Sequence, residues 1–374
     1  MRIAINTLAM RRELYGMGNY IKNLLLSLSN LDKDNEYIVY ASRESAYHLK
    51  DLGNNFRIER APTNRSLRLP WEQTVLPLRL KKERIDAYHG PTVVAPLLKT
   101  CQHVVSILDM TVYLTPERHS LLKRAYFRVM IPQMARRSEN VIAISESTKR
   151  DLVSLLGIRE EKISVTHLGV DKRFRPVTDE QELIRVRKKY NLPAKYILYV
   201  GLIEPRKNLE ALVDAYHADS LHDEYALVLA GNLGWGYAPL LKKIANSHLR
   251  NRIQMPGYVA DADLPALYSS ATVVVYPSLY EGFGLPVLEA MACGGAVITS
   301  NVSSLPEVAG DAAVLIDPND AGELTVALQS VLRDRQLRES LSQRARLRAQ
   351  LFSWERTAAK TLDVYKKTAG FGSC

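Results

Sequence analysis

The segment Tyr280-Glu281-Gly282-Phe283-Gly284-Leu285-Pro286-Val287-Leu288-Glu289 sets two carboxylates around a glycine-rich turn, with seven residues between them. Gly282 and Gly284 free the backbone, and Pro286 suits the first turn of a helix. A helix over Leu285–Ala292 would carry Glu289 near its first turn, close to its positive end, with Glu281 in the loop before it. Such a terminus can face phosphate while the carboxylates accept hydrogen bonds from hydroxyls, a combination that suits a phosphorylated polyol such as a sugar nucleotide. A second candidate is Gly201-Leu202-Ile203-Glu204-Pro205-Arg206-Lys207-Asn208. Arg206 and Lys207 fall between a strand and a helix, where a diphosphate would lie; Arg offers a bidentate fork and Lys a compact charge. A third is Gly16-Met17-Gly18, where two glycines ahead of a helix let backbone amides approach an anion. Taken singly, each of the last two is also read as an ordinary helix start.

These loops need strands and helices to hold them. Continuous apolar runs predict buried parallel strands at Arg2–Asn6, Tyr37–Ala41, Ile85–His89, Val104–Leu108, Val141–Ile144 and Lys162–His167. The pattern restarts at Tyr196–Val200, Ala226–Ala230, Thr272–Tyr276, Ala296–Thr299 and Val314–Ile316, with helices over Asn19–Leu28, Leu209–Tyr216, Ala238–Ala245 and Leu285–Ala292. Strand–helix alternation on this scale predicts an α/β protein of two Rossmann-like domains with parallel sheets, facing a central cleft. The rhythm lapses at Phe174–Thr178, so the predicted domains are residues 1–175, with 355–374 returning to them, and residues 176–354.

The 374 residues carry 50 Lys+Arg against 40 Asp+Glu, with 47% hydrophobic and 24% charged, which excludes whole-chain disorder. Residues 1–180 hold 29 basic and 20 acidic side chains; residues 181–374 hold 21 and 20. An excess confined to one half points to an anionic partner of that half: nucleic acid, an acidic membrane surface or a phosphorylated substrate. No apolar run approaches the ~18 residues of a membrane span. MRIAINTLAM reads as a first strand and not as a signal peptide. Cys101, Cys293 and Cys374 are odd in number and without metal spacing, which fits a reducing cytoplasm and argues against a disulfide framework. Asp261-Ala262-Asp263 has the spacing of a metal motif but lies at a helix start, so no metal is assigned.

Together the motifs resemble those of retaining glycosyltransferases of the family 4 group, whose two-Rossmann architecture is called GT-B. Glu281 to Gly294 matches that family's pair of glutamates eight positions apart. The Gly16–Gly18 loop, Val141–Ser147, His167–Asp171, the Pro205–Asn208 loop and Ser303–Gly310 stand in family order over nearly the whole chain. The resemblance implies that Arg206 and Lys207 hold the donor diphosphate and stabilise it as it leaves, and that Glu281 contacts the transferred sugar. It further implies that the backbone of Phe283, Gly284 and Leu285 lies nearby and that Glu289 binds the ribose hydroxyls. Gly16 and Gly18 would border the diphosphate and acceptor, and Asp109 the donor sugar. Ser303, Ser304 and Glu307 match a loop close to the site. There are two departures. Leu108 stands where many members carry a histidine before the aspartate, and Leu202 where many carry an arginine.

Several further expectations follow from the resemblance. The reaction would be front-face transfer of a hexose from a nucleotide sugar with retention, the departing phosphate taking the acceptor's proton. No cofactor beyond the donor is implied, and GDP-mannose is favoured over UDP-sugars by likeness to mannosyltransferases of surface-polysaccharide assembly. The acceptor would be a glycan, such as one linked to polyprenyl diphosphate, and the amphipathic stretch Trp354–Lys367 would cross back to the first domain. Arg57, Arg60, Arg65 and Arg68 around Leu67, Leu69 and Trp71, and Lys123, Arg124, Arg128, Arg136 and Arg137 among Leu121, Leu122, Tyr126, Phe127 and Met130, suit an anionic membrane at the inner face of the cell. For the second cluster, a helix packing its apolar face on the sheet is the favoured reading. A nucleic-acid partner finds no recognition motif. A sugar-nucleotide epimerase and an inactive binding partner are the alternative readings.

Overall fold

A computed structural model describes residues 1–14, 16–62, 64–218 and 220–370, except the side chains of Arg65, Ser220 and Leu221; Cys374 of the sequence reading lies outside the described residues. The chain forms two compact units, Met1–Gly169 with Ser353–Cys374, and Val170–Phe352. The divisions thus fall at Gly169 and Phe352 rather than at 175 and 354. Gly169 marks the first: a Cβ there would come 2.1 Å from the Trp354 nitrogen, so only glycine lets the two chain passes lie this close.

The first unit is a parallel sheet of β1 (Arg2–Asn6), β2 (Glu36–Ala41), β3 (Phe56–Arg60), β4 (Ala87–Gly90), β5 (Gln102–Ile107), β6 (Asn140–Ala143) and β7 (Ile163–Val165), ordered β3-β2-β1-β4-β5-β6-β7. The second has β8 (Tyr196–Val200), β9 (Ala226–Ala230), β10 (Ile253–Gly257), β11 (Val273–Tyr276), β12 (Val297–Ser300) and β13 (Val314–Ile316), ordered β10-β9-β8-β11-β12-β13. Each order reverses once, between β1 and β4 and between β8 and β11. The carboxyl ends of those strands are where such sheets open a crevice for ligands.

Central strands such as Ala226–Ala230 and Val273–Tyr276 are buried along their whole length, which is why they read as continuous apolar runs. The two strands missing from the sequence reading are edges. Phe-Arg-Ile-Glu-Arg of β3 is half-charged and mostly exposed, and β10 contains Pro256, tolerated only where a ladder ends. The helix after β1 spans Gly16–Leu31, longer than predicted, and buries Tyr20, Ile21, Leu24, Leu25 and Leu28 on one face.

The last helix, Trp354–Gly370, belongs to the first unit, where it buries Trp354, Ala358, Leu362 and Tyr365. The Tyr365 hydroxyl lies 2.6 Å from His89 Nδ1, and Asn140 Nδ2 donates to Thr368 Oγ1 at 2.7 Å. Burial drives the His89 imidazole down to about 3, so this latch is neutral.

The two basic clusters come apart. Arg57 pairs with Glu83 at 2.6 Å and Arg68 with the fully buried Glu72 at 2.9 Å. The helix Leu121–Arg137 is divided along its length: Met130, Ile131, Met134 and Ala135 pack on the sheet, and Arg136 and Arg137 donate to the Leu156 and Leu97 carbonyls. Its first half stands clear, with Leu121 81% and Leu122 83% exposed. Among the described residues no helix is long and apolar enough to cross a membrane.

Candidate active site

In the second unit the loops after β8 and β11, the two strands that flank the reversal of order, bring their charged residues together. The first closes in a short turn, Pro205–Lys207. Arg206 and Lys207 are only 8% and 6% exposed, and Glu281 8%, so the basic pair is not a solvated helix start. Lys207 Nζ donates to Glu281 Oε1 at 2.5 Å, and Arg206 Nη1 lies 2.9 Å from the same oxygen. Arg206 Nη2 also reaches Glu204 Oε1 at 2.8 Å, and Nη1 donates to the Tyr280 carbonyl. One carboxylate thus gathers two cations that would otherwise repel.

The electrostatics follow from burial and this pairing. Burial pushes the Glu281 carboxyl up, but Lys207 and Arg206 overcome it and hold it down at about 2. Burial pushes the Lys207 ammonium down to about 8, only partly offset by Glu281. For Arg206 burial is outweighed by Glu281, and its pKa goes up. The result is a buried group in which Arg206 and Lys207 share Glu281 and Arg206 has Glu204 as a second anion, so their donors are held in place for negative charge that develops in a water-poor setting.

Tyr276, at the end of β11, completes the Lys207 environment. Its hydroxyl accepts from Lys207 Nζ at 2.5 Å, and its ring centroid lies 4.8 Å from the ammonium. Tyr199 stacks on it, centroids 5.5 Å apart and planes 14° from parallel, and donates to the Leu202 carbonyl at 2.8 Å. Sequence reasoning missed Tyr276, Tyr199 and the role of Glu204. The tyrosines read as core positions of strands, and only the pairing of β8 with β11 stacks Tyr199 on the Tyr276 ring that lies over the lysine.

The Glu281 loop is fixed from behind. Ser303 Oγ accepts from the Glu281 amide at 3.0 Å, and Ser304 Oγ lies 2.9 Å and 2.8 Å from the Glu281 and Phe283 carbonyls. Ser303 holds φ +54, a conformation rare for a residue with a side chain. Gly284 caps the helix Leu285–Ala292 at φ +107, where a Cβ would strike Leu305 at 2.8 Å. Phe283 is buried, edge-on to Phe352 at 5.9 Å.

The helix starts at Leu285 as expected, and Glu289 directly follows its first turn, where its hydrogen-bond partner is Tyr268. It is half-buried, and burial pushes its carboxyl up to about 8 despite the Tyr268 hydroxyl that donates to Oε2 at 3.2 Å. At neutral pH it is protonated and offers both a donor and an acceptor to a ligand hydroxyl.

The remaining predicted residues lie in the first unit. Gly16 and Gly18 form the first turn of their helix rather than the loop before it; Gly16 is exposed, and Gly18 is buried with Leu14 packed against its Cα. Asp109, beyond the end of β5, accepts from the Thr111 amide at 3.0 Å. Asp263 of the Asp-Ala-Asp run is engaged by Arg185, Lys189 and Tyr190 at 2.5, 2.6 and 2.7 Å, tying two helices of the second unit together. Among the described residues no three His, Cys, Asp or Glu side chains converge as a metal site.

Residues 15–174 match the domain described as Glycosyltransferase Family 4, and residues 180–348 match Glycosyl transferases group 1. The chain is 35% identical over 282 residues to O-antigen chain mannosyltransferase B of Escherichia coli, covering 75% of this chain and 74% of that protein. It is similar in fold to a sucrose-phosphate synthase from Thermosynechococcus elongatus, with a TM-score of 0.79 at 23% identity and 100% of both chains covered. It is likewise similar to Anabaena HepE, solved in complex with UDP-glucose, with a TM-score of 0.76 at 18% identity over 98% of this chain and 100% of that one. With two Rossmann-like domains and the family's motifs in order along both, the chain belongs to the family 4, group 1 glycosyltransferases.

Proposed function

We propose that this glycosyltransferase moves a hexose, mannose from GDP-mannose in preference to a UDP-sugar, onto a glycan or polyprenyl-diphosphate-linked acceptor in cell-surface polysaccharide synthesis, with retention at the anomeric carbon. The observation that carries the reading is the buried Arg206–Lys207–Glu281 cluster at the carboxyl ends of β8 and β11. Breaking the bond between the anomeric carbon and the diphosphate oxygen leaves negative charge on that oxygen. Arg206 and Lys207 stabilise it in place of solvent, and the start of the helix Leu285–Ala292 adds its positive end. The acceptor oxygen forms the new bond from the same face, and its proton passes to the departing phosphate. Protonated Glu289 is suited to ribose hydroxyls. The mannosyltransferase relative supports the sugar, and the UDP-glucose bound to HepE supports a nucleotide donor. The test is incubation with GDP-mannose, UDP-glucose and UDP-N-acetylhexosamines, with and without a lipid-linked acceptor extract. The expected result is acceptor-dependent GDP release from GDP-mannose; release from a UDP-sugar alone overturns the donor, and release from none overturns transfer.

The acceptor end of the reading is a membrane surface at the inner face of the cell. Leu121 and Leu122 project beside Lys123, Arg124 and Arg128, whereas the other half of the helix is spent on the core. Apolar tips with basic neighbours bind anionic bilayers, at ~1 kcal/mol per basic residue near the surface. The protein is expected to float with phosphatidylglycerol vesicles at low salt and less so at high salt. Leu121→Asp with Leu122→Asp should weaken this by about 100-fold or more, since fully burying two leucines is worth ~3–6 kcal/mol. A wild type that ignores anionic vesicles removes the membrane from the reading.

A further inference from the structure

A three-residue hydrogen-bond chain stands beyond the carboxyl end of β5. Thr111 Oγ1 lies 2.6 Å from Asp109 Oδ1 and 3.2 Å from His119 Nε2. A hydroxyl has one proton, and a carboxylate only accepts, so Thr111 gives that proton to Asp109. The hydroxyl oxygen is then left only to accept, and His119 must supply the proton from Nε2. That fixes the imidazole tautomer and leaves a lone pair on Nδ1. The Thr111 amide donates to the same Asp109 oxygen at 3.0 Å, so the first link is held twice. Thr111, in the middle of the chain, is buried, whereas Asp109 and His119 at its two ends are half-buried.

The sequence offers a reason to look here. Leu108 stands where the resemblance leads one to expect a histidine before the aspartate. The fold brings an imidazole to the same aspartate from ten residues downstream, through the threonine that opens the short helix Thr111–Leu114 and the turn Pro116–Arg118. It stands beyond the carboxyl end of β5, one strand over from the reversal of order between β1 and β4 where such sheets bind ligands. Burial, with Lys123 and Arg118 beside it, pushes the imidazolium down, against Asp109 and Glu117, so the ring stays neutral and its lone pair available.

We infer that His119 accepts a hydrogen bond from a sugar hydroxyl of the substrate through Nδ1, with Asp109 and Thr111 as its positioning residues. The inference rests on the sugar-transfer reading above. Histidine-selective ¹⁵N NMR is expected to show His119 as the Nε2–H tautomer in the wild type, a mixture in Thr111→Val, and the Nε2–H form again in Thr111→Ser. An Nδ1–H ring in the wild type overturns the inference, whether or not any transfer is found.

His119→Ala then distinguishes the source of the hydroxyl. If it is the donor's, the KM for GDP-mannose rises about tenfold, the worth of one lost hydrogen bond, with unchanged Kd for free GDP. If it is the acceptor's, donor hydrolysis is unchanged and acceptor KM rises by the same factor. Unchanged KM for both substrates, or a weakened Kd for GDP alongside, overturns the assignment. A wild type that turns over no nucleotide sugar defeats transfer itself, and the tautomer experiment still judges His119.

Discussion

Lys207→Ala is expected to lower kcat/KM for transfer by at least ~10²–10³-fold, the usual cost of removing one preorganised donor to developing charge, while circular dichroism and the unfolding midpoint stay close to those of the wild type. The two halves of this expectation come from the same burial. The ammonium is 6% exposed and pushed down to about 8, so its folded pKa is below its ordinary value and carrying the charge in the fold is unfavourable. Removing such a charge costs little stability, and Glu281 keeps Arg206 as a partner. What is lost is the cation available to the departing diphosphate. The same shift gives a pH signature: the protonated fraction of Lys207 in the free enzyme falls as pH rises through about 8, and kcat/KM should fall with it. A Lys207→Ala enzyme with wild-type turnover would remove the charge-stabilising role from this cluster.

Glu281→Gln is expected to damage both activity and fold. It leaves Lys207 buried without its counterion and strips Arg206 of one of two, and breaking a buried pair in this way costs ~3–5 kcal/mol. The pH linkage runs the same way. Glu281 is held at about 2, below its ordinary value, so its contribution to stability is complete above about pH 4.5 and is lost as pH falls toward 2. A shift of that size is worth ~3 kcal/mol for a buried group, in keeping with the first figure. Denaturant unfolding should show a lower midpoint at neutral pH for the variant, and a flatter acid limb between pH 5 and 2 than the wild type. An unchanged midpoint would mean that the cluster holds no net stabilising pair.

The site was legible where one stretch of chain contains it. Glu281, Gly284 and Pro286 announce a turn and a helix by their types and spacing alone, and the helix Leu285–Ala292 is where that reading put it. Glu289 falls directly after the first turn of that helix, near where the spacing put it. Its protonated state was not legible at all, since it comes from burial that outweighs the Tyr268 hydrogen bond. Gly16 and Gly18 were taken for a loop because glycine is a poor helix former; packing of Tyr20, Ile21 and Leu24 draws the helix back over them.

The basic surface divides in the same manner. Arg57 and Arg68 looked like members of one cluster in the chain, but one lies on an edge strand and the other on a helix, each with its own acid. The helix Leu121–Arg137 held both readings at once, core in its second half and an exposed apolar tip in its first.

Fold class, family and the residues of the Glu281 turn were determined by the sequence itself, because apolar period, turn chemistry and motif spacing act over a few residues to a few tens. The tertiary structure alone decided that Arg206 and Lys207 are buried, that one carboxylate binds both, that Tyr276 lies over Lys207, and that His119 is linked to Asp109 through Thr111. These contacts join residues as far apart in the chain as Arg206 and Glu281. Burial sets their charge states, and burial belongs to the packed sheet rather than to any segment of it.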